Sequence, residues 1–60
     1  MRQARIIPCS LERPDGTTAE WFEFELAHGD HWHRDKDQAF RTRPEAVQFL
    51  QARGCVVVED

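Results

Sequence analysis

The chain has little of the side-chain chemistry on which nucleophilic enzymes depend. Ser10 is its only serine, and no partner pattern surrounds it. Neither Cys9 nor Cys55 lies in a Cys-x-x-Cys motif or at a predicted helix start, the settings that activate a thiol. A chain of 60 residues also rarely encloses a substrate pocket. We therefore expect neither an enzyme nor a cofactor.

Long apolar runs are absent as well. No stretch approaches the roughly 18 residues that cross a membrane, and no basic segment followed by an apolar one marks a signal peptide. We expect no membrane partner and a cytoplasmic location. Two cysteines should then stay reduced, whereas a Cys9–Cys55 bridge would require adjacent strands and Cα atoms within about 7 Å.

Length and composition predict one folded domain, residues 1–60. The charged fraction is 32% with a net charge of −3, and 40% of residues are hydrophobic. A chain this short buries only about 60% of the surface that it exposes when unfolded. Such domains often gain stability from a metal, a disulfide or a partner subunit. This gives the chain a physical reason to associate.

The first half of the sequence has the alternation of a β-hairpin. Residues 4–12 have period two, which predicts a strand. Pro8 lacks an amide hydrogen, so this strand should lie at a sheet edge or carry a bulge. Residues 13–17, Arg-Pro-Asp-Gly-Thr, predict a turn. In the strand predicted at residues 20–27, one side is apolar and the other carries Trp21, Glu23 and Glu25.

A second turn is predicted at residues 28–30, followed by a short third strand at residues 31–34. Residues 35–38 are polar and predict a loop. Thr42-x-x-Glu45 fits a capping box, so we expect a helix from there to a stop at Gly54. Residues 55–58, Cys-Val-Val-Val, predict a last strand, either buried on both sides or forming an edge that pairs with itself.

The resulting order is β-β-β-α-β. It predicts an α+β fold, a small two-layer domain with one helix packed on one face of a largely antiparallel β-sheet.

Binding to another protein is the main functional hypothesis. Trp21, Glu23 and Glu25 share the wet side of a strand, and the next strand can add Trp32. Tryptophan is enriched in interface hot spots, and acidic residues tune charge complementarity. An edge strand, first or last, could also accept a strand from a partner, including a second copy. The predicted binding residues are Trp21, Glu23, Glu25, His31, Trp32 and His33.

Two alternatives remain open. The cluster of His28, His31 and His33 could supply metal ligands, although no established ligand spacing is present. Trp21 and Trp32 could instead stack on single-stranded nucleic acid, with nearby arginines on the phosphates. The acidic balance of residues 14–40 argues against nucleic acid, because a phosphate-binding surface should be basic.

Overall fold

The computed structural model describes residues 1–58, and it confirms the predicted α+β class and element order. Its four-stranded sheet has the order β3-β2-β1-β4. The first three strands are antiparallel neighbours, and β4 pairs in parallel with the start of β1. The elements are β1 Arg2–Glu12, β2 Thr18–His28, β3 His31–Phe40, α1 Arg43–Ala52 and β4 Cys55–Val57.

The predicted hairpin turn forms between β1 and β2. The Arg13 amide donates to the Thr17 carbonyl at 2.7 Å. The Asp15 carboxylate accepts from the Thr17 amide at 3.0 Å and from its hydroxyl at 2.6 Å. Gly16 has φ +89°, a left-handed conformation that residues with side chains adopt at a cost. The local bonds of the turn therefore fix the register of the hairpin.

The loop predicted at residues 35–38 is wrong, because β3 runs through it to Phe40. Phe24 lies opposite Asp35 and Phe22 lies opposite Phe40, so β3 places extra residues against one residue of β2. In this bulge the Asp35 carboxylate accepts from the Asp37 amide at 2.8 Å. A bulge accommodates surplus polar residues without ending the strand.

The helix begins and ends as the sequence predicts. Thr42 is the N-cap residue, and its hydroxyl accepts from the Glu45 amide at 3.4 Å. Pro44 lies in the first turn, where its missing amide hydrogen has no helical partner to lose. At the other end Gly54 has φ +78° and donates to the Gln51 carbonyl at 3.0 Å. The helix has neither the length nor the apolar character to cross a membrane, and it is the only helix in residues 1–58.

The core is small and lies at one end of the sheet. Ala4, Phe24 and Leu50 are each at most 2% exposed. The rings of Phe40 and Phe49 pack against Phe24 and against each other, with centroid separations of 5.1–6.3 Å. Such tilted aromatic pairs add to the free energy gained by burial. The helix is therefore held against the sheet by a few large side chains.

The helix covers only part of the sheet. Ten residues of α-helix span about 15 Å, whereas an 11-residue strand spans about 36 Å, and the molecule extends over 43 × 23 × 22 Å. Pairing with β3 begins at Phe22, and β4 covers β1 at Arg2–Ala4. Residues 9–21 therefore form a two-stranded projection, which we call the arm.

Pro8 is explained by this incomplete coverage. β1 is an interior strand at its start and an edge strand further along, because within the described chain β4 pairs with it only at Arg2–Ala4. The Val58 amide donates to the Ala4 carbonyl at 2.8 Å, so the polar backbone groups of Ala4 point towards β4. Backbone direction alternates along a strand. Pro8 thus turns its missing amide to the uncovered edge, in agreement with the prediction that it lies at an edge or a bulge.

The two cysteines lie far apart. Cys55 pairs with Arg2, whereas Cys9 lies seven residues further along β1. At the rise of a strand this separation is about 23 Å, well beyond the reach of a disulfide. The alternative of a Cys9–Cys55 bridge is therefore wrong. The last strand is not buried on both sides either, since Val56 is 41% exposed at the sheet edge.

Leu50→Ala should destabilise the domain by about 2–5 kcal/mol, because it removes a large buried side chain from a core that has few. Chemical denaturation monitored by circular dichroism measures this change. Gln51→Ala, an exposed position on the same helix, is the matched control and should shift stability by less than about 0.5 kcal/mol. Equal losses in the two variants would mean that the helix is not packed by Leu50.

Candidate binding face

One side of the sheet is left open. Side chains of a strand alternate between faces, and α1 packs against the face that contains Ala4 and Phe24. No second layer of described residues covers the opposite side, which we call the open face. Its side chains follow from the strand register and include those of Arg5, Ile7, Cys9, Leu11, Trp21, Glu23, Glu25, Ala27, Trp32 and Arg34.

Glu25 lies at the centre of the open face and ties three strands together. It is directly opposite Arg5 of β1 and Arg34 of β3. Its Oε1 accepts from Arg5 Nε at 2.5 Å, and its Oε2 accepts from Arg34 Nε at 3.3 Å. The Glu25 side chain is only 14% exposed. Opposite charges on facing strand positions stabilise a sheet, and here one carboxylate serves both neighbours.

Glu23 extends the network to the first tryptophan. Its Oε1 accepts from Arg34 Nη1 at 3.1 Å, and its Oε2 accepts from Trp21 Nε1 at 2.7 Å. The indole N–H of a half-buried tryptophan normally needs a partner, and the carboxylate supplies one. The ring of Trp21 is thereby held at the end of the open face that leads into the arm.

The second tryptophan lies at the other end of the same network. The guanidinium carbon of Arg5 is 4.4 Å from the centroid of the Trp32 ring, which is a cation–π contact. Trp32 lies opposite Ala27, whose small side chain leaves room for the ring. Both tryptophans are half-buried. The network therefore runs without a break from Trp21 to Trp32, through Glu23, Arg34, Glu25 and Arg5.

These contacts favour the ionised form of both glutamates. The hydrogen bond from Trp21, followed by that from Arg34, lowers the pKa of Glu23. The hydrogen bond from Arg5 is the main cause of the lowered pKa of Glu25. The hydrogen bonds that Arg34 donates to Glu23 and Glu25 raise the pKa of Arg34 in return. The open face therefore holds two full negative charges and two full positive charges at neutral pH.

The histidines do not join this group. His33 lies opposite Leu26, and His31 lies opposite His28, so their alternation places them on the side of the sheet that α1 occupies. His31 Nδ1 is 2.9 Å from the exposed Asp30 carboxylate. The structure brings together Trp21, Glu23, Glu25 and Trp32 of the predicted residues, and it separates His31 and His33 from them.

Nothing in the geometry of the histidines favours a metal. The rings of His28 and His31 have centroids 6.1 Å apart. Across residues 1–58, no three side chains of histidine, cysteine, aspartate or glutamate are placed to share an ion.

Arg5 and Arg34 belong to the site, but the predicted binding residues do not include them. Both face Glu25 directly, so strand register is the signal that would have found them. The turn at residues 13–17 sets Arg5 opposite Glu25, and the tight turn at Gly29 and Asp30 sets Arg34 opposite the same residue. Turn length fixes register in a hairpin.

Comparison of the chain with protein-family models, with curated proteins and with solved structures finds no match. The open face must therefore be interpreted from its own chemistry.

Acid should weaken the fold through this network. Because the pKa values of Glu23 and Glu25 are lowered in the folded state, their stabilisation is complete above the ordinary glutamate pKa of about 4.3 and is lost as the pH falls through the folded values. The double variant E23Q/E25Q should show a smaller loss of unfolding free energy between about pH 6 and pH 3 than the parent chain.

Glu20→Gln is the control for this titration, because it removes an exposed carboxylate outside the network. Urea denaturation at a series of pH values gives the unfolding free energy of each chain as a function of pH. If the unfolding free energies of the parent chain and of the double variant have the same pH dependence, ionisation of Glu23 and Glu25 does not contribute to folding stability.

Proposed function

We propose that the protein acts by binding another polypeptide on the open face, with Trp21 and Trp32 as anchors. The observation that supports this most strongly is the unbroken network that holds the two rings at opposite ends of an uncovered sheet face. A few residues contribute most of the binding energy in protein interfaces, and tryptophan is enriched among them.

The network lowers the cost of binding. Free arginine and glutamate side chains lose conformational entropy when a partner immobilises them. Here Arg5, Arg34, Glu23 and Glu25 are already held by one another, with side chains 14–33% exposed. Their charges are balanced within the face, so a partner need not bring compensating charge to the centre. The face is thus organised before the partner arrives.

The apolar part of the open face lies beside the network. Ile7 and Cys9 are half-buried, and Leu11 is 60% exposed. Aromatic side chains and arginines are enriched in protein interfaces, and the open face combines both with these apolar residues. Glu23 and Glu25 would influence partner choice and the association rate more than the affinity itself.

The same geometry disfavours single-stranded nucleic acid. The guanidinium groups of Arg5 and Arg34 are engaged by carboxylates on the face where the tryptophans could stack. A phosphate backbone would have to displace Glu23 and Glu25, which also repel it. Binding to nucleic acid depends on unpaired cationic groups that release counterions, and the open face offers its cations in neutralised pairs.

Trp32→Ala should abolish capture of the partner while the fold remains intact. Tagged parent, Trp32→Ala and Gln51→Ala chains are used as bait in nuclease-treated native lysate, and bound proteins are quantified by mass spectrometry. The helix variant is the control, because Gln51 is exposed on the far side of the molecule. A partner that binds the parent and Gln51→Ala chains should fall at least about tenfold with Trp32→Ala, the loss expected for one hot spot.

The proposal is contradicted by either of two results, equal capture by all three chains or full capture by a folded Glu23→Lys chain. Equal capture by all three chains would place the binding surface elsewhere. An unfolded Trp32→Ala chain would show that Trp32 belongs to the core, and Glu23→Lys would then test the face without removing a ring. Full capture by a folded Glu23→Lys chain would also remove the open face from consideration.

A further inference from the structure

The outer edge of β1 is a second surface with its own chemistry. Among residues 1–58, no strand pairs with this edge beyond Ala4, so it is uncovered from Ile6 to Glu12. An uncovered strand edge presents a row of unpaired amides and carbonyls, which is a template for another strand. The arm beside it is a two-stranded hairpin, which is marginally stable in water on its own.

The direction of each backbone group along this edge can be assigned from two hydrogen bonds. The carbonyl of Ala4 accepts from Val58 on the outer side, and the amide of Arg13 donates to Thr17 on the β2 side. Backbone groups alternate between these sides from one residue to the next. The outward groups between the two points therefore belong to Ile6, Pro8, Ser10 and Glu12. Pro8 offers a carbonyl only, and the other three offer both an amide and a carbonyl.

A second copy of this edge complements the first in one antiparallel register. When Ile6 faces Glu12 of the other copy and Pro8 faces Ser10, every outward amide meets an outward carbonyl. Shifting the copies by two residues in one direction sets proline against proline and sends the Glu12 amide to the Ala4 carbonyl, which Val58 already occupies. A shift of two residues in the other direction sets Ile6 opposite Pro14 of the other copy, which lies beyond the end of β1. The partial charges of the edge thus select a two-fold arrangement.

The same register also pairs the side chains of the open face. Ile7 lies opposite Leu11 of the other copy, and the two Cys9 residues lie opposite each other at the two-fold axis. The Ile7–Leu11 pairs cover the most exposed apolar side chain of the arm, since Leu11 is 60% exposed. Facing residues at such a non-hydrogen-bonded position have Cα atoms about 4.5 Å apart, within the range that a disulfide spans. Cys9 is a free thiol and half-buried.

We propose that two copies of the chain join through antiparallel pairing of their β1 edges, centred on Cys9. The arms then become the middle of one continuous sheet, in the order β2-β1-β1-β2, and each hairpin gains a third strand. The inference deepens the proposal of protein association by naming the partner, and it uses the β1 edge with the Ile7, Cys9 and Leu11 side chains rather than the two tryptophans. The dimer leaves Trp32 and the network around Glu25 uncovered.

Thiol cross-linking tests the register directly. The Cys55→Ser chain retains Cys9, and the Cys9→Ser chain retains Cys55 as the matched control. Each is incubated with oxidised glutathione, which two protein thiols reduce to two molecules of glutathione as one disulfide forms between the chains. Non-reducing electrophoresis should show covalent dimer from the Cys55→Ser chain at least about tenfold faster than from the control, because the thiols are held at a high effective concentration.

Sedimentation equilibrium under reducing conditions supplies a second readout. The parent chain should move from 7.1 kDa towards twice that mass as its concentration rises. Leu11→Lys, a change at an exposed position, should keep it at 7.1 kDa because a charge would face Ile7 of the other copy. Trp32→Ala should dimerise as the parent does.

The possible results separate the two proposals. A parent chain that stays monomeric at millimolar concentration, or equal cross-linking through Cys9 and Cys55, overturns the edge dimer and leaves the open-face proposal standing. If Trp32→Ala abolishes the dimer and Leu11→Lys does not, the chains associate through the tryptophans of the open face. That result would also overturn the edge dimer. A Cys9-linked dimer combined with unchanged capture by Trp32→Ala would support the edge dimer and contradict only the open-face proposal.

Discussion

The structure depends on a mismatch of length between its one helix and its long strands. Packing of Leu50 onto Ala4 and Phe24 fixes where the helix lies. Since a ten-residue helix covers about 15 Å of strands that run for about 36 Å, the far half of the hairpin receives no helix. Within residues 1–58, β4 also contributes only three residues to cover the edge of β1. The open face, the arm and the uncovered edge all follow because the helix and β4 are too short to cover the long strands.

A second stabilising element compensates on the side that the helix does not cover. Glu25 joins the three antiparallel strands by accepting from Arg5 and Arg34, and Glu23 carries the network to Trp21. Ion pairs at a surface contribute little when both partners are mobile. These side chains are half-buried and each carboxylate has two donors, so the network orders the face more than it stabilises the whole domain. Order on an uncovered face is what a binding surface needs, because less entropy remains to be lost.

Much of the fold could be predicted because it is encoded locally. The turn at residues 13–17, the Thr42 cap and the Gly54 stop each use residues whose conformational preferences act over a few positions. The error at residues 35–38 has a different cause. Asp35 and its neighbours have the composition of a loop, but β3 pairs with β2 both before and after them along the chain, so the strand continues through them as a bulge.

The site was harder to predict because it depends on register and on faces. Trp21, Glu23 and Glu25 share a face through alternation alone, so the sequence was enough to group them. Arg5 and Arg34 could be added only by pairing strands across two turns. His31 and His33 are among the predicted binding residues beside Trp32, although alternation sends them to the opposite face. Proximity in sequence is a poor guide to proximity on a sheet.

Amide hydrogen exchange followed by NMR tests the central claim most directly, because it reads the edge of β1 residue by residue. In dilute protein the outward amides of Ser10 and Glu12 should exchange rapidly, while the inward amides of Cys9 and Leu11, bonded to β2, exchange slowly. Raising the protein concentration should slow the outward amides towards the inward ones. Outward amides that exchange rapidly at every concentration would contradict association through this edge, and outward amides that are protected even in dilute protein would show that the edge is not uncovered.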